Sequence, residues 1–311
     1  MTQHDRRGGM DAPTALAAAA MVIVWGSSSV ATRVGMESYS PGRLALFRFL
    51  ITTVILAVYI VLTRMRVPPW RDWPGLILIA LVGISITQLA FVYGMLTVDP
   101  GTATFLMATI PVMAALLAKL ILKERLTPAG WLGIALTVVG TTVLVLGQGQ
   151  GIAYTRGALI LLGGAFAEAV YYIMQKPWLR RYTPMEVTVW PLLFSTLPLL
   201  VFLPGLGAEI RGATTESTLA TAYVALGAGV IGYGCLSYCN SRLPASAAAV
   251  LLSLMPPVAL LTAWLWLGTP PRPAALVGGA ISLAGVLLVT LRGQATPGPA
   301  PIEQPAASPA D

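Results

Sequence analysis

Glu168, Tyr171, Tyr172 and Gln175 stand at i, i+3, i+4 and i+7 in a segment otherwise rich in Gly, Ala and Leu. On a helix they make one polar, aromatic stripe. A carboxylate this deep in an apolar stretch costs about 2.5 kcal/mol or more in lipid, so it must face a partner or a wet cavity. There it either binds a cationic group of a cargo or carries a proton; the structural alternative is a pair with Arg48 or a tyrosine hydroxyl. Similar faces recur along the chain. Trp25, Ser28, Ser29 and Thr32 make one; Ser85 and Gln88, with Tyr93 further on, make a second; Tyr233, Ser237 and Asn240, with Tyr238 beside them, make a third. Aromatic rings with a few hydroxyls and amides suit a small amphipathic solute, although helix–helix hydrogen bonds and interfacial belts use the same residue types. Met107 is a further candidate liner, though a methionine is more often filler. Arg48 either attracts an anionic group or snorkels and pairs with Glu37.

Other chemistries lack parts. The sole histidine, His4, precedes the first apolar stretch, so no histidine triad or zinc cage can form within the membrane. Cys235 and Cys239 lie one turn apart, and two thiols alone make a poor metal site. No metal or other cofactor is expected. No G-x-x-x-x-G-K-[ST] loop occurs, which excludes an ATP-driven pump in this chain. An intramembrane hydrolase built on Glu168 is the enzymatic alternative; the expectation is a protein that is not an enzyme.

The elements that must position these residues follow from composition. The chain of 311 residues is 56% hydrophobic and 10% charged, with a mean hydropathy of +0.78, far outside the soluble range. Its apolar runs are long enough for helices that cross a hydrocarbon core of about 30 Å. The expected class is all-α integral membrane, with ten transmembrane helices at about 12–32, 42–63, 74–97, 101–122, 128–147, 156–176, 184–204, 218–241, 245–267 and 272–292. Residues 1–11 are expected to be a cytoplasmic leader, with the first span retained rather than cleaved. Residues 293–311, with five prolines in nineteen positions, are expected to be a disordered cytoplasmic tail. Tyr182 and Trp70 sit at span edges and suit an interfacial belt. With both termini inside a bacterial-type plasma membrane, thirteen of the 19 Lys and Arg face the cytoplasm, as the positive-inside rule asks. The net charge of +7 is then orientation charge, with no basic stripe for nucleic acid.

A shift of 145 residues lays Pro111 on Pro256, Pro128 on Pro273, Gly133 on Gly278, Gly140 on Gly285, Gln88 on Tyr233 and Tyr93 on Tyr238. "YSPGR" and "YTPME" pair more loosely. The chain thus divides into five-helix halves, 12–147 and 148–292. Five is odd, so the second half enters the membrane from the opposite side. That accounts for "LKERLTPAG" keeping Lys123, Glu124 and Arg125 while "LGTPPRPAA" has Thr269 in place of the acid. Inverted repeats are a recurrent architecture of secondary transporters. Pro111 and Pro256, inside predicted spans, are candidate hinges.

"VWGSSSVATR", "ALFRFL" and "GTATFLMATIPVMAALLAKLILKERLTPAGWLGIALTVVG" resemble the ten-helix drug/metabolite transporters with duplicated EamA domains, over roughly 14–146 and 156–292. Glu168 departs from the family pattern, standing where an aromatic is common, and so does Thr269. The resemblance implies a transporter of small metabolites, amino acids among them, and export is inferred from it alone. Expected partners are a small-molecule substrate and the bilayer; a ten-helix unit closed by its own repeat need not dimerise. The rival readings are a lipid flippase and a non-transport scaffold.

Overall fold

The structure is a computed structural model that describes residues 11–122, 126–146, 151–175, 177–232, 234–235, 238–239, 251 and 254–292. It is helical throughout, and no strand occurs among these residues. Of the residues singled out above, His4, Lys123–Arg125, Tyr233, Ser237, Asn240, the leader before residue 11 and the tail from 293 lie outside the described residues.

Among the described residues, eight helical stretches are long and apolar enough to cross a membrane: Ala12–Gly35, Pro41–Thr63, Trp70–Gly94, Pro100–Ile121, Pro128–Leu146, Thr155–Arg180, Met185–Phe202 and Pro273–Arg292. Met255–Leu267 is a shorter apolar helix. The chain is an integral membrane protein. In order, the helices are α1 (Ala12–Gly35), α2 (Pro41–Thr63), α3 (Trp73–Ala80), α4 (Ile86–Gly94), α5 (Pro100–Met107), α6 (Ile110–Leu122) and α7 (Pro128–Leu146). They continue with α8 (Gly151–Met174), α9 (Pro184–Phe194), α10 (Thr196–Leu199), α11 (Leu206–Gly212), α12 (Thr215–Leu226), α13 (Met255–Leu267) and α14 (Pro273–Arg292).

Local chemistry sets the helix starts. Proline opens or nearly opens α1, α2, α3, α5, α9 and α13, where its missing N–H would have no intrahelical acceptor. Side-chain caps add to it. Asp99 accepts from the Thr102 N–H at 2.8 Å, and Thr183 with Glu186 forms a reciprocal capping box. Pro111 and Pro256 both lie in the first turn of a helix, α6 and α13. At Pro111 the span is interrupted, because residues 108 and 109 form a turn between α5 and α6.

Two further interruptions were not legible as prolines. Leu81–Ser85 joins α3 to α4 as a π-helical turn, and Gly227–Ile231 continues α12 as another. Shifted by 145, the first falls within one residue of the second. Such turns insert a residue into the α ladder and recur at functional sites.

Helix α7 packs against α14 with backbones almost touching. A Cβ on Gly140 would lie 2.3 Å from the Ser282 nitrogen, and one on Gly278 would lie 2.5 Å from the Leu144 nitrogen. Gly133 and Gly285 approach each other's carbonyls in the same way. Positions along α7 rise as their partners along α14 fall, so the two helices run antiparallel. Small residues are what permits this approach in a membrane.

The two ends of α2 are tied differently. Near its start, Ser38 donates to the Ser217 hydroxyl (3.0 Å), and the Tyr39 and Thr218 hydroxyls are 2.9 Å apart. Near its end, Arg181 forks onto Asp72 through bonds of 3.1 and 3.0 Å, and the buried Tyr182 hydroxyl donates to the same carboxylate. Tyr182 is therefore not the belt anchor its position suggested, since Asp72 draws the ring inward. Trp70, 76% exposed, keeps the exposure a belt residue needs.

Glu209, outside the spans, pairs at 2.6 Å with Arg43 in the first turn of α2 and also accepts from the Ser40 N–H. Burial pushes the Glu209 carboxyl up, but bonds from Arg43 and Ser40 outweigh it and hold the group below its usual range. A carboxylate with a lowered folded pKa stabilises above its unfolded value, about 4.3. That contribution is lost as pH falls through the folded pKa. Acidification should therefore lower the unfolding temperature in detergent more for the native protein than for Glu209→Gln; identical pH profiles would remove the pair from the account.

Candidate functional site

A cavity of about 190 Å³ lies among α1, α2, α4, α5 and α8, closed on one side by the π turn that follows α12. Five of its walls present polar atoms. Trp25 and Ser28 come from α1, Arg48 from α2, Thr87 and Gln88 from α4, Thr104 from α5 and Glu168 from α8. Phe91, Met107 and Ile110 complete an apolar side. One water needs roughly 10–15 Å³ measured in this way, so a small solute fits.

Helix geometry explains the convergence. Trp25, Ser28, Ser29 and Thr32 recur at three- and four-residue spacing on α1, as do Thr87 or Gln88 with Phe91 on α4 and Thr104 with Met107 on α5. Each helix thereby turns one narrow face inward. The hydroxyls are already spent as donors, Thr87 to the Gly164 carbonyl of α8 at 3.0 Å and the others within their own helices. Ser28 donates to the Trp25 carbonyl at 2.7 Å, Thr32 to that of Ser28 at 2.7 Å, and Thr104 to that of Pro100 at 2.9 Å. What they offer a cargo is acceptor lone pairs. Trp25 is fixed too: its indole N–H donates to the Ala228 carbonyl in the π turn at 2.9 Å, locking α1 to the far wall.

Charge is carried by two residues. Arg48 donates from Nη1 to the Gln88 amide oxygen at 2.5 Å, with its guanidinium carbon 5.5 Å from the centre of the Phe49 ring. It is turned into the cavity, where the sequence favoured snorkelling or pairing with Glu37. Glu168 faces the same space, with the Tyr172 hydroxyl 3.5 Å from Oε1. At that distance the phenol is a weak donor, which leaves most of the carboxylate's acceptor capacity directed at the cavity.

The cavity thus brings together Trp25, Ser28, Gln88, Met107, Arg48 and Glu168. The rest of the α8 stripe goes elsewhere. Tyr171 packs over Gly83, where an added Cβ would fall 2.1 Å from the Tyr171 Cβ. Tyr172 is 40% exposed and stacks edge-on to Tyr171 at 5.7 Å. Gln175 lies just past the end of α8, its N–H bonded to the Tyr171 carbonyl. Tyr93, one residue before the end of α4, is 39% exposed. Tyr238 is half-buried and does not line the cavity. Thr87, Phe91 and Thr104 were missed by the sequence reading, although Phe91 and Thr104 lie three residues from the named Gln88 and Met107 and Thr87 adjoins Gln88.

Toward the end where α1 stops and α2 begins, a second void of about 10 Å³ shares Thr32, Arg48 and Gln88 with the cavity, with room for at most one water. Its walls, Leu44, Ala45, Val92 and Val224 with Thr32 and Thr221, are all buried. Among the described residues no cluster of three or more His, Cys, Asp or Glu side chains is placed to hold a metal.

Comparison with known proteins agrees with this architecture. The chain resembles the transporter YdfC of Bacillus subtilis (strain 168), itself uncharacterized, at 35% identity over 88% of this chain and 89% of that one. It is 36% identical to a probable terminal-alkyne amino-acid exporter of Streptantibioticus cattleyicolor, over 87% of this chain and 91% of the relative. A protein of known crystal structure superposes with a TM-score of 0.61, covering 91% of this chain and 98% of its own at 18% identity, which bears on the fold alone. The EamA-like transporter family matches residues 12–146 and again 155–291. This chain is a membrane transporter and belongs to the EamA-like transporter family.

Proposed function

We propose that the protein is a secondary carrier that moves a small, amphipathic, amino-acid-like solute outward by alternating access. One observation carries the reading: a single cavity, lined from both halves of the chain, sets Arg48 and Glu168 among Trp25, Phe91 and Met107. A solute with an anionic end, a cationic end and an apolar body meets all three surfaces, as small-molecule pockets require. An aromatic body would suit Trp25 and Phe91. The relative from Streptantibioticus, described as a probable amino-acid exporter, supports the same cargo class and direction.

Alternating access needs two similar states, and two inverted five-helix halves, 12–147 and 148–292, supply them in a ten-helix chain. Three observations support inversion. Gly133 and Gly140 of α7 meet Gly285 and Gly278 of the antiparallel α14, so Gly133 meets the repeat mate of Gly140 and Gly140 that of Gly133. An in-plane two-fold axis produces that pattern. The contact of Ser38 and Tyr39 with Ser217 and Thr218 recurs at the other end of α2 as Arg181 and Tyr182 with Asp72. The π turns at Leu81–Ser85 and Gly227–Ile231 form the third pair. In this reading both termini are cytoplasmic in a bacterial-type plasma membrane, and a monomer suffices. The charged tie at Asp72 faces the cytoplasm and the hydroxyl tie faces outward, in line with the positive-inside rule.

The π turns, with the helix starts at Pro111 and Pro256, are the soft points of the exchange. Deleting Val82 should heal the first turn into regular α-helix. The expected product folds but carries solute about tenfold more slowly, because gating motions limit such cycles. Wild-type flux from the deletion protein would remove the turn from the mechanism. The reading as a whole is tested in proteoliposomes loaded with labelled amino acids at two pH values, without nucleotide. Saturable flux of one or more supports it; lipid scrambling with no solute flux would make the protein a flippase instead.

A further inference from the structure

Arg48, Gln88 and Thr32 line both the central cavity and the small void beyond it. The Arg48–Gln88 bond, 2.5 Å between α2 and α4, therefore lies at the neck between the two. One turn further along each helix stand Leu44 and Val92, 3% and 2% exposed, which together with Val224 stop the void. A bond at this position ties α2 to α4 directly below the plug, so the plug cannot part while it holds.

We propose that this bond is a latch on the outward exit and that an anionic group of the cargo releases it. The proposal rests on the carrier reading and adds how the cargo is selected. The Nη1 bond of the guanidinium goes to a neutral amide oxygen. A carboxylate accepts two parallel bonds from the same fork and binds it roughly twice as strongly as a neutral acceptor does. A cargo whose ammonium lies at Glu168 and whose carboxylate reaches Arg48 displaces Gln88, unties α2 from α4 and frees the plug. A cargo without the anionic group occupies the cavity and leaves the exit latched. Selection thus acts on release as well as on binding: binding energy toward Arg48 is used to change conformation, as in other induced-fit systems.

The test uses the full-length protein with Cys235 and Cys239 replaced by serine and a single cysteine at Val92, probed with a membrane-impermeant thiol reagent from the outer face. Gln88→Ala should raise labelling at position 92 about tenfold, and Gln88→Glu, which turns the latch into an ion pair, should lower it below the parent. Unchanged labelling in both variants overturns the latch. Phenylalanine should raise labelling in the parent while its decarboxylated counterpart, phenethylamine, does not; equal effects of the two overturn release by an anion. Flux separates this from the carrier reading. The parent should transport phenylalanine at least about tenfold faster than phenethylamine, and Gln88→Ala should close that gap. If labelling responds to the Gln88 variants and neither compound is carried, the latch stands and the assigned cargo class fails.

Discussion

Glu168→Gln should leave the protein folded and reduce transport of an amino-acid-like cargo by about 10- to 100-fold, the factor that corresponds to losing a charge-assisted bond of about 1.5–3 kcal/mol. The carboxylate is half-buried, faces the cavity, and among the described residues has only the long contact from Tyr172. Its cost in an apolar interior is therefore not recovered by a structural partner among the described side chains that approach it. A neutral amide of the same shape keeps the packing and removes the charge. The measurement is counterflow of labelled phenylalanine together with the unfolding temperature in detergent. Loss of flux at unchanged stability is the expected pair. A gain in stability would fit especially well, since relieving an unpaired buried charge stabilises. Wild-type flux from Glu168→Gln would remove the carboxylate from the mechanism, and flux retained but no longer pH-sensitive would assign it to proton coupling rather than to binding.

Gly140→Leu should be the most damaging single substitution in the scaffold. The added Cβ alone would lie 2.3 Å from the Ser282 nitrogen and 2.7 Å from the Gly278 carbonyl, and both are backbone atoms that cannot swing aside. Overpacking in a tight core costs about 1–3 kcal/mol where side chains can adjust; here whole helices must separate, so the loss should reach or exceed the top of that range. The accompanying Thr141–Ser282 contact, 3.3 Å, would go with it. Gly163, which has nothing within 4 Å of an added Cβ, is the control. Thermal unfolding of the purified protein should show a large drop for Gly140→Leu and little change for Gly163→Ala. Equal stability of the two would mean that α7 and α14 do not pack through their glycines.

How much of this was legible differs from residue to residue. Glycine and proline carried the repeat, because their positions are set by backbone geometry rather than by a choice among similar apolar side chains. Gly133, Gly140, Gly278 and Gly285 stood out in the sequence as repeat mates, and the structure adds that they meet one another. Trp25, Ser28, Gln88, Arg48 and Glu168 were named as candidates from polar or aromatic side chains in apolar helices, Met107 as a further liner, and all six line one cavity. Periodicity shows which face a residue takes but not what covers that face at each level. Tyr171, Tyr172 and Gln175 share the Glu168 face yet lie up to seven residues further along, about 10 Å at the α-helical rise. There Gly83 lets α3–α4 close over Tyr171 and the cavity has ended. Nothing marked the π turns, since "LVGIS" and "GAGVI" read as ordinary apolar helix. The buried Tyr182 was hidden for another reason: its partner Asp72 lies 110 residues away in sequence.

A cysteine at Ser28, in the background without Cys235 and Cys239, reports most directly on a central cavity that opens to each side in turn. The account predicts that membrane-impermeant thiol reagents reach it from the cytoplasmic face of oriented vesicles, that phenylalanine makes it reachable from the outer face as well, and that no ion conductance accompanies either reaction. Reaction from one face alone, in every condition that supports flux, would contradict it.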